Sequence, residues 1–297
     1  MRSASAMSGL GRLIGVLTAA AGLSAATSAL AAPCPAQPKA AEVAGLWRAL
    51  KPIPPLDIQD EAQAICFRQA FVAALTPDLG PRVGYKVGMF SPAARKAFGI
   101  ERPRFGELYA RMILPEGQGA PAAFGVGGVW ESDLLLVVGD DSLNAATTRE
   151  EAYRALRGFK PFIELTSRNY ADGFEPTADQ IAALDVGARL GVAGREYPLA
   201  QTPEAMAALE ALSVEAVVKS PDGETVEQAI ARETLGDLMD IVLFARDAVR
   251  VEGGRLRPGD VISVGIFTPA HAPAPGQVVT VRYHLLARPV DVSVEFR

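Results

Sequence analysis

Three acidic residues in two strand-like segments are the groups best placed to do chemistry. Glu131 and Asp133 lie in GVWESDLLLVVGDD, and Glu164 lies in KPFIELTS. Alternate residues of a strand point to one face, so Glu131 and Asp133 project together beside a run of Leu and Val. Buried charges without partners are costly, and a bound cation would compensate them. Oxygen-only ligands favour Mg²⁺ or Mn²⁺.

The same residues also allow an interpretation without a metal. Glu131 and Asp133 would then face solvent on an edge strand, and Glu164 would pair with an arginine such as Arg168. Structural ion pairs also produce buried acids. Strand geometry alone therefore leaves both interpretations open.

The elements that must position these acids are mostly strands. Because the strands and helices do not alternate as βαβ units, the pattern predicts an α+β fold, a mixed and mainly antiparallel β-fold with peripheral helices. The predicted strands are 83–89, 129–138, 161–165, 214–220, 260–265, 278–283 and 290–296. The predicted helices are 42–50, 60–75 (ended by Pro77 and Gly80-Pro81), 92–98, 149–155, 203–209 and 230–247.

The composition is that of a folded globular protein. The chain has 297 residues, of which 49% are hydrophobic and 21% charged. This length allows one large domain or two small ones. The net charge is −5, whereas nucleic-acid-binding proteins usually carry a basic surface, so no nucleic-acid partner is expected.

The first 31 residues differ from the rest. Arg2 and Arg12 precede an apolar, Ala-rich stretch that ends in Ala29-Leu30-Ala31. This pattern predicts a signal peptide cleaved near Ala31 and a periplasmic or secreted protein with no stable membrane span after cleavage. The alternative is an uncleaved anchor, which so many Ala, Ser, Thr and Gly residues disfavour. A Pro/Ala-rich leader and helical segment is expected over residues 32–80.

The chain contains two cysteines, Cys34 and Cys66. In an oxidising compartment they are able to form a disulfide that ties the leader to the helix carrying Cys66. The alternative is a buried, free Cys66 and an unattached Cys34.

Four segments in order carry a family resemblance. GYKVGMFSPAARKAFGIERPRFGELYARM, WESDLLLVV, FIEL and LRPGDVISVGIFTP resemble the 2-keto-4-pentenoate hydratase and 4-oxalocrotonate decarboxylase group of the fumarylacetoacetate hydrolase superfamily. The likeness extends from about residue 58 to the end. It implies a β-roll like the C-terminal domain of fumarylacetoacetate hydrolase, here a catalytic domain over residues 81–297.

The resemblance also implies a set of site residues. Lys86, between two glycines that would let a ligand approach, is the implied catalytic residue. Its cation would stabilise enolate charge, and a lowered pKa would let it transfer protons. The competing interpretation is a solvated strand lysine. The other implied positions are the metal ligands Glu131, Asp133 (in place of the usual Glu) and Glu164, and the substrate-binding residues Phe90, Ser91 (equally a helix N-cap), Gly265 and Thr268.

Two segments depart from the family pattern. Arg104 stands where the hydratases commonly carry an Asp, and Asp185-Val186-Gly187-Ala188 lacks an expected amide and hydroxyl. Both changes fall where contact with substrate or water is expected. They leave metal binding in place and weaken the case for hydration.

The resulting functional prediction is an exported lyase that uses Mg²⁺ or Mn²⁺. It would hydrate or decarboxylate a small 2-oxo acid or dicarboxylate through a metal-stabilised enolate, and the family implies a homo-oligomer. The alternatives are a periplasmic 2-oxo acid and metal-binding protein without turnover, and a C–C bond hydrolase. Neither His271 nor His284 is expected to be catalytic.

Overall fold

The structure, a computed structural model, describes residues 37–285 and 287–297. The predicted signal peptide, its cleavage site and Cys34 lie outside the described residues. Export and the Cys34–Cys66 disulfide therefore stay predictions. None of the helices in the described ranges has both the length and the apolarity needed to cross a membrane.

Twelve strands are present in the described ranges, in two sheets. They are β1 Arg82–Gly88, β2 Arg104–Tyr109, β3 Ile113–Pro115, β4 Gly128–Val138, β5 Leu156–Ser167, β6 Ala188–Ala193, β7 Tyr197–Pro198, β8 Ser213–Ser220, β9 Gly223–Ile230, β10 Val261–Ser263, β11 Val278–His284 and β12 Val290–Glu295. The large sheet has the order β2-β1-β10-β4-β5-β6-β3, with β7 beside β5, and the small sheet has the order β12-β11-β8-β9.

Eight α-helices of the described residues surround these sheets. They are α1 Gln37–Arg48, α2 Glu61–Leu79, α3 Pro92–Phe98, α4 Arg149–Arg154, α5 Ala178–Ala183, α6 Pro203–Glu210, α7 Ala231–Leu235 and α8 Leu238–Val251. Local chemistry fixes several starts. Asp60 caps α2 by accepting from Gln63 N, and Ser91 caps α3 by accepting from Ala94 N.

The large sheet separates two apolar cores. Along β4, Leu134 and Leu136 pack into one core with α8 and the small sheet, whereas Leu135 and Val137 pack into the other with α1, α2 and α5. This alternation follows from the two-residue period of a strand. Glu131 and Asp133 share the odd-numbered face of β4, so the acids lie on the side of the second core.

The predicted fold class is confirmed. In the described residues only the β1–β10 and β3–β6 pairs are parallel, and the other strand pairs are antiparallel. The predicted end of the second helix is confirmed at Gly80-Pro81, where α2 ends after Leu79. Pro77 lies inside the last turn, where a proline removes only one hydrogen bond. One helix was predicted wrongly. The predicted helix 230–247 is two helices, since Gly236, with φ 84°, and the cap Asp237 interrupt it.

Candidate active site and metal centre

Strands β1, β4 and β5 bring the four principal predicted residues together. Glu131 of β4 and Glu164 of β5 are direct partners in the antiparallel pair. Lys86 reaches this pair from β1, across the short strand β10, and its Nζ lies 2.6 Å from Glu164 Oε1. Lys86, Glu131, Asp133 and Glu164 are called the lysine–carboxylate cluster below.

Burial controls the electrostatics of this cluster. Asp133 is 0%, Glu164 1% and Lys86 4% exposed, whereas Glu131 is half-buried. Burial, reinforced by the charge of Glu164, raises the pKa of Glu131 to about 7 and also raises the pKa of Asp133. Burial acts to lower the pKa of Lys86, but the neighbouring carboxylates outweigh it and the pKa is raised. The direction is opposite to the lowering that was predicted, and it favours the ammonium form of Lys86.

The carboxylate of Asp133 already accepts three hydrogen bonds from the protein. Its Oδ1 accepts from Leu134 N at 2.6 Å and from Gly265 N at 2.9 Å, while the Ser263 hydroxyl donates to Oδ2. Of the three predicted ligands, Glu131 and Glu164 line the cavity described below and Asp133 lies behind them. Within residues 37–285 and 287–297, no group of three Asp, Glu, His or Cys side chains is arranged around a common metal position.

The donor chemistry of the cluster nevertheless fits a hard divalent cation. When all four groups are ionised, three carboxylates face one ammonium and leave two negative charges in excess. Burial first, and the charge of Glu164 second, raise the pKa of Glu131 despite the opposing charge of Lys86. Carboxylate oxygens are the ligands that Mg²⁺ and Mn²⁺ prefer, and a divalent charge would balance the cluster.

A cavity of about 550 Å³ opens against the cluster. Lys86, Glu131 and Glu164 lie in its wall beside Thr166, whose hydroxyl donates to Glu131 Oε1 at 3.3 Å. Much of the remaining wall is apolar. That part includes Phe90, Phe98, Ile181, Leu184, Val186, Leu235 and Ile266.

The predicted substrate-binding residues divide into two groups. Phe90, Ser91 and Gly265 line the cavity. Ser91 is the N-cap of α3, and its contact with substrate stays a prediction. The Gly265 N–H is already engaged by Asp133. Thr268 is not among the described residues of the wall. Its N–H and hydroxyl both bond to Ser132 Oγ, at 3.0 and 2.8 Å.

The two glycines beside Lys86 both allow close packing, and Gly88 also lines the cavity. A Cβ at Gly84 would lie 2.1 Å from the carbonyl oxygen of Val261, and a Cβ at Gly88 would lie 2.4 Å from Val186 Cγ1. Gly84 therefore lets β10 pair closely with β1, and Gly88 makes room for Val186.

The two segments that depart from the family pattern lie differently with respect to the cavity. Arg104 is buried and turned to α5, where its Nε and Nη2 lie 2.8 and 2.7 Å from Asp179 Oδ1. The described cavity wall does not include it, so the expectation that Arg104 contacts substrate is wrong. Val186 and Gly187 do line the cavity.

Sequence reasoning did not single out Asp185, the buried residue before this pair. Its Oδ1 accepts from Glu107 N at 2.8 Å, and in the described part of the chain its Oδ2 has no hydrogen-bond partner. Burial raises its pKa to about 7, against the opposing charge of Arg68. The only sequence signal was its place in a segment that departs from the family.

His271 also lies outside the wall formed by the described residues. Its Nε2 lies 2.9 Å from Glu227 Oε1, and its ring packs against Trp130 at 5.1 Å between centroids. These contacts give it a structural role at the edge of β4.

Comparison with known proteins decides the family. Residues 115–288, more than half of the chain, match the family model described as fumarylacetoacetate (FAA) hydrolase C-terminal. The chain belongs to the fumarylacetoacetate hydrolase family. This confirms the resemblance drawn from the four segments.

Several members of the fumarylacetoacetate hydrolase family are similar over most of the chain. A 2-keto-4-pentenoate hydratase from Paraburkholderia xenovorans (strain LB400) is 28% identical over 235 residues, 77% of this chain and 83% of that protein. A 4-oxalocrotonate decarboxylase from Pseudomonas putida is 24% identical over 216 residues, 72% of this chain and 77% of that protein.

One solved structure shares the fold closely. The 4-oxalocrotonate decarboxylase from Pseudomonas putida G7, complexed with magnesium and adipate, has a TM-score of 0.73 and 21% identity, and the match covers 88% of this chain and 98% of that chain.

Proposed function

We propose that this protein is a divalent-metal-dependent lyase, of hydratase or decarboxylase type, that acts on a 2-oxo acid through its enolate. The observation that carries the proposal is the Lys86–Glu164 contact of 2.6 Å inside a buried, negatively charged cluster that opens into a cavity. Relatives named as 2-keto-4-pentenoate hydratases and a 4-oxalocrotonate decarboxylase support it, as do solved relatives complexed with magnesium, calcium or Mn²⁺.

The chain's own residues have distinct roles in this proposal. Glu131 and Glu164 would hold the cation from the cavity wall, with Asp133 behind them. Mg²⁺ or Mn²⁺ bound there would polarise the oxo group of the substrate and favour loss of a neighbouring proton or carboxylate. The Lys86 ammonium, fixed by Glu164, adds positive charge beside the oxygen that becomes negative as the enolate forms. Gly265 shapes the wall and, through its N–H, orients Asp133.

A binding protein on the same scaffold is the second candidate. The three donors that hold Asp133 favour it, because they leave this carboxylate less free to coordinate a metal. Such a protein would recognise a metal and a 2-oxo acid without turning the acid over. A C–C bond hydrolase uses the same enolate, so the cluster alone does not separate it from a lyase.

Turnover separates the two candidates. The purified protein is stripped with a chelator and reloaded with Mg²⁺ or Mn²⁺, and the absorbance of 2-hydroxypenta-2,4-dienoate and of oxaloacetate is followed. We expect loss of at least one compound only when metal is present. If no 2-oxo acid is turned over while metal and oxo acid still bind, the protein is a binding protein.

Two variants test the assigned roles. Glu164→Ala should lose bound metal, measured by elemental analysis, without unfolding. Glu196→Ala, which removes an acid paired with Arg157 at the surface, is the matched control and should keep it. Lys86→Ala should keep metal and lose turnover by about 10²-fold or more. Unchanged metal content in the first variant, or unchanged turnover in the last, would contradict the role.

We also propose export and self-association. The pattern of residues 1–31 supports a signal peptide, and the family supports a homo-oligomer. N-terminal sequencing of protein from the periplasmic fraction should begin after Ala31. The intact mass of that protein without reductant should show the loss of two hydrogens expected for a Cys34–Cys66 disulfide. Sedimentation should give a mass above that of one chain.

A further inference from the structure

The turn Asp185–Gly187 has an unusual backbone and lies at the cavity. Its three residues have φ values of 58°, 52° and 71°, all in the left-handed region. Glycine adopts this conformation readily, but for a β-branched residue such as Val186 it is a genuine outlier. Val186 is nevertheless buried and lines the cavity.

Packing from β1 and β2 holds the turn in this conformation. Glu107 N donates to Asp185 Oδ1 at 2.8 Å, and a Cβ at Gly106 would lie 2.8 Å from the Asp185 carbonyl oxygen. Val186 Cγ1 occupies the space that a side chain at Gly88 would need. Residues stay in sparsely populated conformations when their surroundings impose them, and such residues cluster at functional sites.

The consequence is an apolar part of the cavity wall, in the cavity that Lys86, Glu131 and Glu164 also line. The Val186 isopropyl group joins Phe90, Leu184 and Leu235 in the cavity wall. The volume of about 550 Å³ is typical of pockets that enclose drug-sized ligands, and it exceeds what a three- or four-carbon acid fills. The polar groups of the cavity suit an acid head, and this surface suits a hydrocarbon tail.

We propose that Val186 is a specificity-determining residue, and that the substrate is a 2-oxo acid carrying an apolar substituent of several carbons. The inference rests on the proposed function, because it takes the 2-oxo acid head from there. It adds the chemical class of the rest of the substrate. Burial of each methylene against this wall favours the longer acid.

The test compares two acids that share a head and differ in the tail. Binding of pyruvate and of 2-oxooctanoate is measured by calorimetry in the presence of Mn²⁺. The unmodified protein should bind 2-oxooctanoate at least about tenfold more tightly than pyruvate, as expected for buried methylenes. Equal affinities, or no binding of either acid, would overturn the proposal.

Val186→Asn tests the residue itself. Asparagine tolerates the left-handed conformation, so the turn should keep its shape while an amide replaces the isopropyl group. The preference for 2-oxooctanoate over pyruvate should fall by about tenfold, mainly through weaker binding of 2-oxooctanoate. An unchanged preference in a folded variant would overturn the proposal. Val186→Ala, which shortens the side chain without adding polarity, is a second variant and should weaken the preference to a smaller extent.

Leu50→Asn is the matched control. Leu50 also has a left-handed backbone, with φ 53°, but is 43% exposed and lies outside the described cavity wall. Its substitution should relieve the same kind of strain, seen as an equal or higher melting temperature, and leave the preference unchanged. If Leu50→Asn changed the preference as much as Val186→Asn does, relief of backbone strain would explain both changes. That result would contradict the assignment of Val186 as a specificity-determining residue.

The outcomes also separate this inference from the proposed function. Preference for the longer acid without turnover of any 2-oxo acid would contradict the lyase and support the inference. Metal-dependent turnover of pyruvate-sized acids with no preference for the longer acid would support the lyase and contradict the inference.

Discussion

Two clusters of charged side chains, each with buried members, differ in charge balance. The arginine cluster consists of Arg68, Arg104, Asp179 and Glu252. Arg68 forms an ion pair with Glu252, and Arg104 forms one with Asp179 at 2.7 Å. The Arg68 guanidinium also stacks 4.8 Å from the centre of the Phe105 ring. Each arginine therefore has a carboxylate partner.

The lysine–carboxylate cluster lacks this balance. Three acids meet one lysine, and the pKa of Glu131 is raised to about 7 by burial and by Glu164. An arrangement in which like charges are buried together lowers stability and is typical of a functional site. The comparison teaches that charge balance, rather than burial, distinguishes the two kinds of cluster. A balanced cluster supports the fold, and an unbalanced one is suited to bind a cation.

The largest stability effect is expected in the balanced cluster. Arg68→Met keeps the length of the side chain, removes its charge and leaves Glu252 without its cation. Breaking one partner of a buried pair should lower the free energy of unfolding by about 3 kcal/mol, measured by urea denaturation. Turnover per folded molecule should not change, because Arg68 lies outside the described cavity wall.

The double variant Arg68→Met with Glu252→Leu is the control for this prediction. It removes both charges together, so it should recover a large part of the lost stability. If the single variant costs less than about 1 kcal/mol, the pair is not the structural contact inferred here.

The opposite sign is expected in the unbalanced cluster. Glu131→Gln removes one excess negative charge, so in the presence of a chelator it should raise the free energy of unfolding by about 2 kcal/mol at pH 8. Added Mg²⁺ should stabilise the unmodified protein more than this variant, because the variant loses a ligand. A destabilised variant in chelator would show that the cluster supports the fold as the arginine cluster does.

The same variant predicts a pH dependence. The pKa of Glu131 rises from 4.5 to about 7 in the folded protein. The folded state then binds more protons than the unfolded state between these values, so this contribution to stability is lost as the pH rises from about 4.5 to 7. The stability gap between Glu131→Gln and the unmodified protein should widen over this window and stay constant above it. A gap independent of pH would contradict the raised pKa.

The smallest effect is expected at an exposed pair. Arg157 binds Glu196 through two hydrogen bonds of 2.9 and 3.2 Å, with the Arg157 side chain 49% exposed. Arg157→Ala should lower the free energy of unfolding by only about 0.5 kcal/mol, since water and salt screen such pairs. A loss as large as that of Arg68→Met would remove the distinction between buried and exposed pairs.

Much of the fold was predictable because the local spacing of apolar residues and the capping and turn residues indicate strands and helices. The strand predicted over 129–138 matches β4 closely, and the helix predicted over 92–98 matches α3. The strands β2 and β6 were missed. Each is six residues long and contains a glycine, and pairing with the preceding strand of the chain, β1 or β5, stabilises it. The six-residue helix α5 was missed for a different reason: it is short, and its local signal, the capping box of Thr177 and Gln180, was not used.

The sequence by itself determined the family, the α+β class, the shared face of Glu131 and Asp133, and the presence of Lys86 near them. These follow from local periodicity and from an ordered set of segments. Only the tertiary structure decided that Asp133 lies behind the cavity wall, that Arg104 turns to α5 and that Val186 occupies the space beside Gly88. Contacts between residues far apart in the chain, with Ser263, Asp179 and Gly88, impose these arrangements, and no local pattern encodes such contacts.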